Sequence, residues 1–133
     1  MPIRVLLADD SPVMLSAIRK TLDQEPRIEV VGEASTFAET MRMIADFKPE
    51  ALILDLHLPE KGDFTPAFVN SQLVSVDCVV AISFSNDDEA KNLSETYGAA
   101  VLLDKMNLYS ELIPAIMECC GRQDAANRFT ASA

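Results

Sequence analysis

The segment EALILDLHLP, residues 50–59, contains a short apolar run that ends on a carboxylate at Asp55. The run lacks helical spacing, and Pro59 and Gly62 break the chain after it. Such a run predicts a strand buried on both faces of a parallel sheet. In open α/β sheets, ligands bind in the crevice beyond the carboxyl ends of the strands. We therefore expect Asp55, at the C-terminal end of this strand, to carry chemistry.

On either side of this segment, strand patterns alternate with helix patterns. Including the central run, five apolar runs predict strands at residues 3–8, 28–31, 51–54, 78–83 and 100–103. Helical spacing and capping signals predict five helices at residues 12–24, 37–48, 64–73, 86–97 and 110–120. This alternation indicates right-handed crossovers, a parallel sheet and helices on both of its faces.

Local signals set several of the predicted helix ends. Ser11 precedes a proline and reads as an N-cap, while Thr36 and Glu39 have the spacing of a capping box. Gly98 is a C-terminal stop for the fourth helix. Pro114 is the weak point of the last predicted helix, because proline belongs near the start of a helix and disrupts its interior.

Length and composition describe a single acidic domain. The 133 residues carry a net charge of −10, which argues against nucleic-acid binding through phosphate neutralisation. No apolar run approaches the roughly 20 residues that span a bilayer, and the N-terminus is a poor signal peptide. We predict a cytoplasmic protein that binds no membrane, with one domain at residues 1–120 and a flexible tail or linker stub at residues 121–133.

The three cysteines favour the same compartment. Cys78, Cys119 and Cys120 are odd in number, and none belongs to a C-x-x-C pair. Cys78 lies in a strand-like run and is predicted to be a small core residue, with the other two near a helix end. A redox or metal role for any of them is disfavoured.

Polar side chains follow four of the predicted strands. They are Asp9 and Asp10 after the first, Asp55 after the third, Ser83 after the fourth and Lys105 after the fifth. A parallel sheet brings these ends to one edge, where three carboxylates disfavour one another's ionisation unless a cation compensates them. Hard oxygen ligands suit Mg²⁺. A carboxylate facing such a site is a plausible nucleophile toward phosphorus.

These landmarks resemble, in order and spacing, the receiver domain of two-component response regulators. The resemblance rests on the acid pair at 9–10, the DLHLP segment, Ser83, the Gly98–Ala99 pair and Lys105, and it covers residues 3–120. It implies a flavodoxin-like α/β fold, a doubly wound five-stranded parallel sheet of the (βα)5 type with strand order 2-1-3-4-5. The segment VVGEA, residues 30–34, is most similar to receivers attached to helix-turn-helix outputs.

The resemblance also implies a metal site. Asp9, Asp10 and Asp55 would bind Mg²⁺ directly or through water, and His57 would contribute its backbone carbonyl. The ring of His57 is expected to face solvent and to take no part as ligand or base.

For the reaction, the resemblance implies that Asp55 accepts a phosphoryl group from a sensor histidine kinase or phosphotransfer protein. Ser83 would hydrogen-bond the phosphoryl group and Lys105 would pair with it. The modification would switch a downstream output domain or partner protein, or drive homodimerisation. No independent substrate turnover is expected, so the chain is predicted not to be an enzyme in that sense.

Four positions depart from the family pattern. Leu102 occupies a place where many receivers have a switching aromatic residue, and Phe84 is large where a small residue is frequent and can hinder access to the acceptor. Asp63 lies where a glycine is common, with Gly62 before it, and Met106 replaces a frequent proline.

Three other functions compete with this hypothesis. The departures at Phe84 and Leu102 suit a degenerate receiver-like interaction module that does not signal by phosphorylation. An aspartyl-phosphate phosphatase generally needs a second acid two residues after the nucleophile, where this chain has His57. A flavodoxin-like cofactor carrier is disfavoured because Asp9 and Asp10 repel phosphate.

Overall fold

A parallel sheet of five strands forms the centre of the fold. The computed structural model describes residues 1–59 and 63–121. The strands are β1 (Ile3–Ala8), β2 (Ile28–Ala34), β3 (Ala51–Asp55), β4 (Cys78–Ser83) and β5 (Val101–Asp104). The helices are α1 (Pro12–Asp23), α2 (Phe37–Phe47), α3 (Pro66–Leu73), α4 (Asp88–Thr96) and α5 (Leu108–Cys119). The strand order is β2-β1-β3-β4-β5 and all pairings are parallel, so the predicted fold class is confirmed.

β3 lies in the middle of the sheet and is buried along its whole length. Its residues alternate between two apolar layers: Ala51 and Ile53 contact the layer that contains α1 and α5. Leu52 and Leu54 contact the layer that contains α2, α3 and α4. The continuous apolar run in the sequence follows from this arrangement, because helices cover both faces of the strand.

Side-chain caps fix the starts of α1 and α2. Met14 N donates to Ser11 Oγ at 3.2 Å. Glu39 N donates to Thr36 Oγ1 at 3.1 Å, and the Glu39 carboxylate accepts from Ser35 N at 2.6 Å. Both predicted caps are confirmed, and each satisfies a donor that the first helical turn leaves without a backbone partner.

β2 is longer than the sequence predicts, because the chain continues through Gly32 instead of turning there. Gly32 pairs with Leu6, and the register of the ladder shifts between Val5 and Leu6. A Cβ atom at position 32 would lie 3.2 Å from both Leu6 Cδ1 and Phe47 Cε2. This glycine therefore permits close packing within a strand and does not end it.

α5 begins at Leu108, earlier than predicted, and Pro114 lies in its middle. A 3-10 turn leads into the helix, and Asp104 Oδ1 caps this turn by accepting from Met106 N at 2.8 Å. The predicted helix is present, and it contains this proline in its interior although proline favours the start of a helix. Pro114 and Ser110 are both exposed, so water can satisfy the carbonyl that loses its donor.

α3 begins at Pro66, which occupies the first turn after an N-cap at Thr65. Phe68 N donates to Thr65 Oγ1 at 3.1 Å. The predicted break at Gly62 and the predicted tail from residue 122 onward fall outside the described residues.

Three helix ends among the described residues have left-handed backbone, and Gly121 after α5 is one of them, with φ of 66°. Gly98, after α4, has φ of 76°, which agrees with its predicted role as a stop. Lys48, after α2, has φ of 47° although it carries a side chain. Within the described ranges, the helices are all too short or too polar to cross a bilayer.

Cys78 lies in the core as predicted, but it is joined to Cys119 by a disulfide. The two Cα atoms are 5.7 Å apart, and 41 positions separate the residues in sequence. The cysteine spacing in the sequence predicts neither this pair nor a redox role, so the prediction against a redox role does not account for the disulfide. The reason lies in the topology: α5 runs back past the sheet, so its last residue returns to the edge at which β4 begins.

Candidate functional site

Four of the predicted site residues lie at the carboxyl edge of the sheet. Asp9 follows β1, Asp55 ends β3, Ser83 ends β4 and Lys105 follows β5. Asp9, Asp55 and Ser83 are almost completely buried, with at most 1% of their surface exposed. Charged and polar groups of this kind are rarely buried without partners, so their contacts indicate what the site does.

Three carboxylates form a cluster. Ligand oxygens of Asp9, Asp10 and Asp55 all lie within 4.8 Å of one another, and Asp10 alone is exposed. Within the described ranges, Asp9 Oδ2 is a buried oxygen that accepts no conventional hydrogen bond, and Lys105 Nζ lies 2.8 Å from it. Hard oxygen donors with excess negative charge suit Mg²⁺, which takes one or two carboxylates and keeps several waters.

Lys105 contacts two members of the cluster. Its Nζ lies 2.8 Å from Asp9 Oδ2 and 3.3 Å from Asp55 Oδ2. The Lys105 side chain is 6% exposed, so these contacts are poorly screened by solvent. Among the described residues, the cluster has three carboxylates and Lys105 pairs with two of them, so negative charge is in excess before any cation binds.

The carboxylate of Asp55 is oriented by both of its oxygens. Oδ1 accepts from the backbone N–H of His57 at 2.9 Å, while Oδ2 faces Lys105. Burial raises the pKa of Asp55 above its ordinary value, and the charge of Asp9 raises it further. The hydrogen bond from His57 N and the charge of Lys105 oppose that shift. Asp55 is thus a positioned carboxylate whose ionised form lacks full compensation.

Asp9 is fixed by the loop that starts α1. Its Oδ1 accepts from Ser11 N at 2.9 Å. Since Ser11 is also the N-cap of α1, the same residue terminates the loop and orients the acid.

Ser83 lies beside the ring of His57. Ser85 N donates to Ser83 Oγ at 3.0 Å, and His57 Nε2 lies 3.4 Å from the same oxygen. The His57 side chain is exposed, as predicted. Its contact with Ser83 was not predicted, because the two residues are 26 positions apart in sequence and no local pattern links them.

Phe84 covers the ammonium group of Lys105. Its ring centroid lies 5.1 Å from Lys105 Nζ, and 63% of the residue remains exposed. A cation over an aromatic face at this distance is attracted to the ring. The sequence predicted that Phe84 can hinder access to Asp55, but it did not predict the contact with Lys105.

Leu102, at the other position that departs from the family pattern, is partly buried and packs against the layer that contains α2, α3 and α4.

The structure therefore brings Asp9, Asp10, Asp55 and Lys105 together and places Ser83 next to His57. A buried carboxylate, an ammonium group and a hydroxyl can accept a phosphoryl group and stabilise charge on its oxygens. The roles of these residues, including the backbone carbonyl of His57, stay predictions.

Comparison with known proteins identifies relatives of one kind. The family model described as "Response regulator receiver domain" matches residues 5–117. The signal receiver domain of the putative response regulator NarL from Mycobacterium tuberculosis superimposes with a TM-score of 0.79 and 25% identity, covering 92% of this chain and 98% of that one.

Two curated relatives are longer proteins. A protein-glutamate methylesterase/protein-glutamine glutaminase from Cereibacter sphaeroides is 32% identical over 129 residues, which are 94% of this chain and 35% of the relative. The transcriptional regulatory protein LiaR of Bacillus subtilis is 31% identical over 115 residues, 86% of this chain and 54% of that protein. The chain thus spans about a third to about half of these relatives.

Proposed function

The chain belongs to the response regulator receiver domain family, and we propose that Asp55 is its phosphoacceptor, modified by a sensor histidine kinase or phosphotransfer protein. The observation that carries this proposal is the contact of Lys105 Nζ with both Asp9 and Asp55 in a buried cluster of carboxylates. The family establishes the receiver domain, and the geometry supports the assignment of the residue.

In the proposed reaction, an oxygen of Asp55 attacks the phosphorus of the donor's phosphohistidine and forms an acyl phosphate. The bond from phosphorus to the histidine nitrogen breaks, and the donor's imidazole leaves and takes a proton from solvent. The hydrogen bond from His57 N keeps the carboxylate in one orientation. Lys105 exchanges its contact with Asp55 for a phosphoryl oxygen, and the Ser83 hydroxyl donates to another. Positioning and charge stabilisation of this kind account for most of the catalysis in phosphoryl transfer.

Asp9, Asp10 and Asp55 would bind Mg²⁺, with the His57 carbonyl as a further ligand. The uncompensated charge of the cluster and the buried Asp9 Oδ2 support this assignment. When bound, the ion supplies neutralisation of charge on the phosphoryl oxygens. The proposed chemistry of this chain is confined to forming and hydrolysing the phosphoryl bond on Asp55, in the cytoplasm.

We assign the response to the surface formed by α4, β5 and α5, because Ser83 precedes α4 and Lys105 precedes α5. Moving either side chain toward a phosphoryl group shifts the loop that begins the next helix. The readers of that change would be an output domain, a partner protein or a second copy of this chain. A methylesterase and a transcriptional regulator among the relatives support an output of either kind.

The test uses a small phosphodonor. The full chain is incubated with acetyl phosphate and Mg²⁺, and its intact mass is measured over time. We expect one phosphoryl adduct that is absent in Asp55→Asn and in the presence of EDTA. Asp77→Asn is the matched control, because Asp77 is exposed and directly precedes β4 at the opposite edge of the sheet.

An adduct that persists in Asp55→Asn would contradict the assignment of the acceptor. If the wild type forms no adduct, the phosphorylation proposal fails as a whole. The alternative, a receiver-like interaction module, would then be favoured by the Phe84 ring over Lys105.

A further inference from the structure

The disulfide between Cys78 and Cys119 lies at the edge of the sheet opposite the carboxylate cluster. Cys78 is the first residue of β4, while the cluster lies at the carboxyl ends of the strands. Neither cysteine contributes to phosphoryl chemistry. A covalent bond between a strand and the last residue of α5 therefore needs its own explanation.

We propose that Cys78 and Cys119 form a reversible thiol–disulfide site that fastens the C-terminal end of α5 to the sheet. The Cα separation of 5.7 Å is in the range in which a disulfide closes without backbone movement. Opening and closing the bond thus require only side-chain motion. This inference goes beyond the proposed function and does not depend on phosphorylation of Asp55.

Access to the bond is unequal for its two sulfurs. Cys78 is 1% exposed. Cys119 is partly exposed and lines a cavity of about 340 Å³ together with Ala100, Val101, Ala115 and Glu118. An external thiol or disulfide therefore reaches Cys119, and Cys78 reacts only from inside the domain. Because Glu118 lines the cavity, a neutral reagent enters more readily than an anionic one.

The reaction proceeds by two exchanges with a small-molecule disulfide, RSSR. The Cys119 thiolate attacks one sulfur of RSSR, which forms the mixed disulfide Cys119–SR and releases RS⁻. The Cys78 thiolate then attacks Cys119 Sγ, which closes the bridge and releases the second RS⁻. The two protons lost by the cysteines convert both leaving groups to RSH. The protein is oxidised by two electrons and RSSR is reduced to two thiols, and an excess of thiol reverses both steps.

Closing the bridge constrains α5 at the end opposite the site. Lys105 precedes α5 through a single 3-10 turn, so the bridge and the site lie at the two ends of one helix. Besides the bridge, the last turn is held by backbone hydrogen bonds from Cys120 N to Ile116 O and from Gly121 N to Glu118 O. We expect the oxidised chain to unfold at a higher temperature, because the bond closes a long loop in the unfolded state.

The test starts from the full chain reduced with dithiothreitol and then freed of it. The chain is oxidised with hydroxyethyl disulfide, a neutral reagent. Remaining thiols are alkylated, and tryptic peptides are analysed without reduction. We expect the peptide of residues 62–91, which contains Cys78, linked to that of residues 106–122. The melting temperature should rise by roughly 10 °C on oxidation, and amide exchange in the last turn of α5 should slow. Dithiothreitol should reverse all three changes.

Matched serine variants at adjacent positions distinguish the thiols. Cys120→Ser should retain the linked peptides and the thermal shift, whereas Cys119→Ser should lose both. Cys78→Ala serves as a second variant that removes the buried partner. Linkage through Cys120, a stable mixed disulfide at Cys119, or equal melting temperatures of the two redox forms would overturn the proposal.

Discussion

At the scale of single residues, the site combines tight orientation with incomplete charge compensation. Asp55 receives a hydrogen bond from His57 N and faces Lys105, yet burial and Asp9 still raise its pKa. Lys105 is divided between two carboxylates. Such a cluster is less stable than an apolar one of the same volume, and a cation or a phosphoryl group changes its balance of charge.

Replacing Asp55 with Asn should stabilise the chain in EDTA, and increasingly so as the pH rises. Because the folded-state pKa is raised, the folded protein keeps a proton that the unfolded chain releases, so wild-type stability falls as pH rises from 3.8 through the raised value. We expect a difference on the order of 1 kcal/mol at neutral pH and little near pH 3.8. Urea denaturation across this range measures it, with Asp77→Asn as control. A difference that does not vary with pH would contradict the charge argument.

Phe84→Ala should accelerate phosphorylation of Asp55 by acetyl phosphate. The Phe84 ring holds Lys105 Nζ at 5.1 Å from its centroid, and this contact must weaken when Lys105 pairs with a phosphoryl oxygen. Loss of a cation–π contact of about 0.5–1 kcal/mol corresponds to a rate increase of about twofold to fivefold. A time course of intact mass measures the rate.

Phe68→Ala is the control for this prediction, because Phe68 is 44% exposed and stacks on Phe64 beside α3. Equal rates for wild type and Phe84→Ala would show that the ring neither restrains Lys105 nor restricts access to the acceptor.

At the scale of secondary-structure elements, the ends of the helices determine where the loops of the site lie. Ser11 caps α1 and also orients Asp9, while Asp87 caps α4 by accepting from Ala90 N at 2.9 Å. The opposite ends of α2 and α4 use left-handed backbone at Lys48 and Gly98. Glycine at position 98 adopts that conformation without a steric penalty, whereas lysine at position 48 does not.

Gly98→Ala and Lys48→Gly should therefore change stability in opposite directions. An alanine at position 98 incurs the left-handed penalty, about 1–2 kcal/mol, and its Cβ would lie 3.2 Å from Asn70 Nδ2. Glycine at position 48 removes that penalty, and we expect a gain of about 0.5 kcal/mol. Lys48 N donates to Ile44 O, and Lys48 O accepts from the side-chain Nη1 of Arg4, so neither hydrogen bond needs the lysine side chain. Urea denaturation of both variants checks the pair, and shifts of the same sign would refute the argument.

Predictability from sequence also differs among the elements. The run at 51–54 and the caps at Ser11 and Thr36 are local signals, and the structure confirms them. The continuation of β2 through Gly32 was missed because the reason for that glycine is contact with Phe47, far away in sequence. The pairing of Cys78 with Cys119 was missed for the same reason, since it depends on how α5 returns across the sheet.

At the scale of the whole molecule, negative charge is in excess over the chain as a whole and also within the carboxylate cluster. The chain carries a net charge of −10, and three carboxylates meet at one edge of the sheet. Any salt screens the general repulsion, whereas only a coordinated cation compensates the cluster. The sequence predicted the convergence of these acids because strand order places their strand ends together. It did not predict which oxygen faces Lys105.

Mg²⁺ should raise the free energy of unfolding more than NaCl of equal ionic strength. At a concentration ten times its Kd, binding to the folded chain alone adds about 1.4 kcal/mol. Asp10→Asn should lose this increment while folding normally, because Asp10 is the exposed member of the cluster. Thermal unfolding in matched salts measures the effect. Equal stabilisation by the two salts would exclude a specific cation site.

The residues of the site come from two consecutive stretches of chain that meet between adjacent strands of the sheet. Residues 1–59 supply β1, β2 and β3 with all three acids, whereas residues 63–121 supply β4 and β5 with Ser83 and Lys105. The boundary between adjacent β3 and β4 is thus a seam at which a chimera can be built. A hybrid that joins the first stretch to the second stretch of a different receiver would take Asp55, the proposed acceptor, from one parent. It would take the α4, β5 and α5 surface, to which we assign the response, from the other.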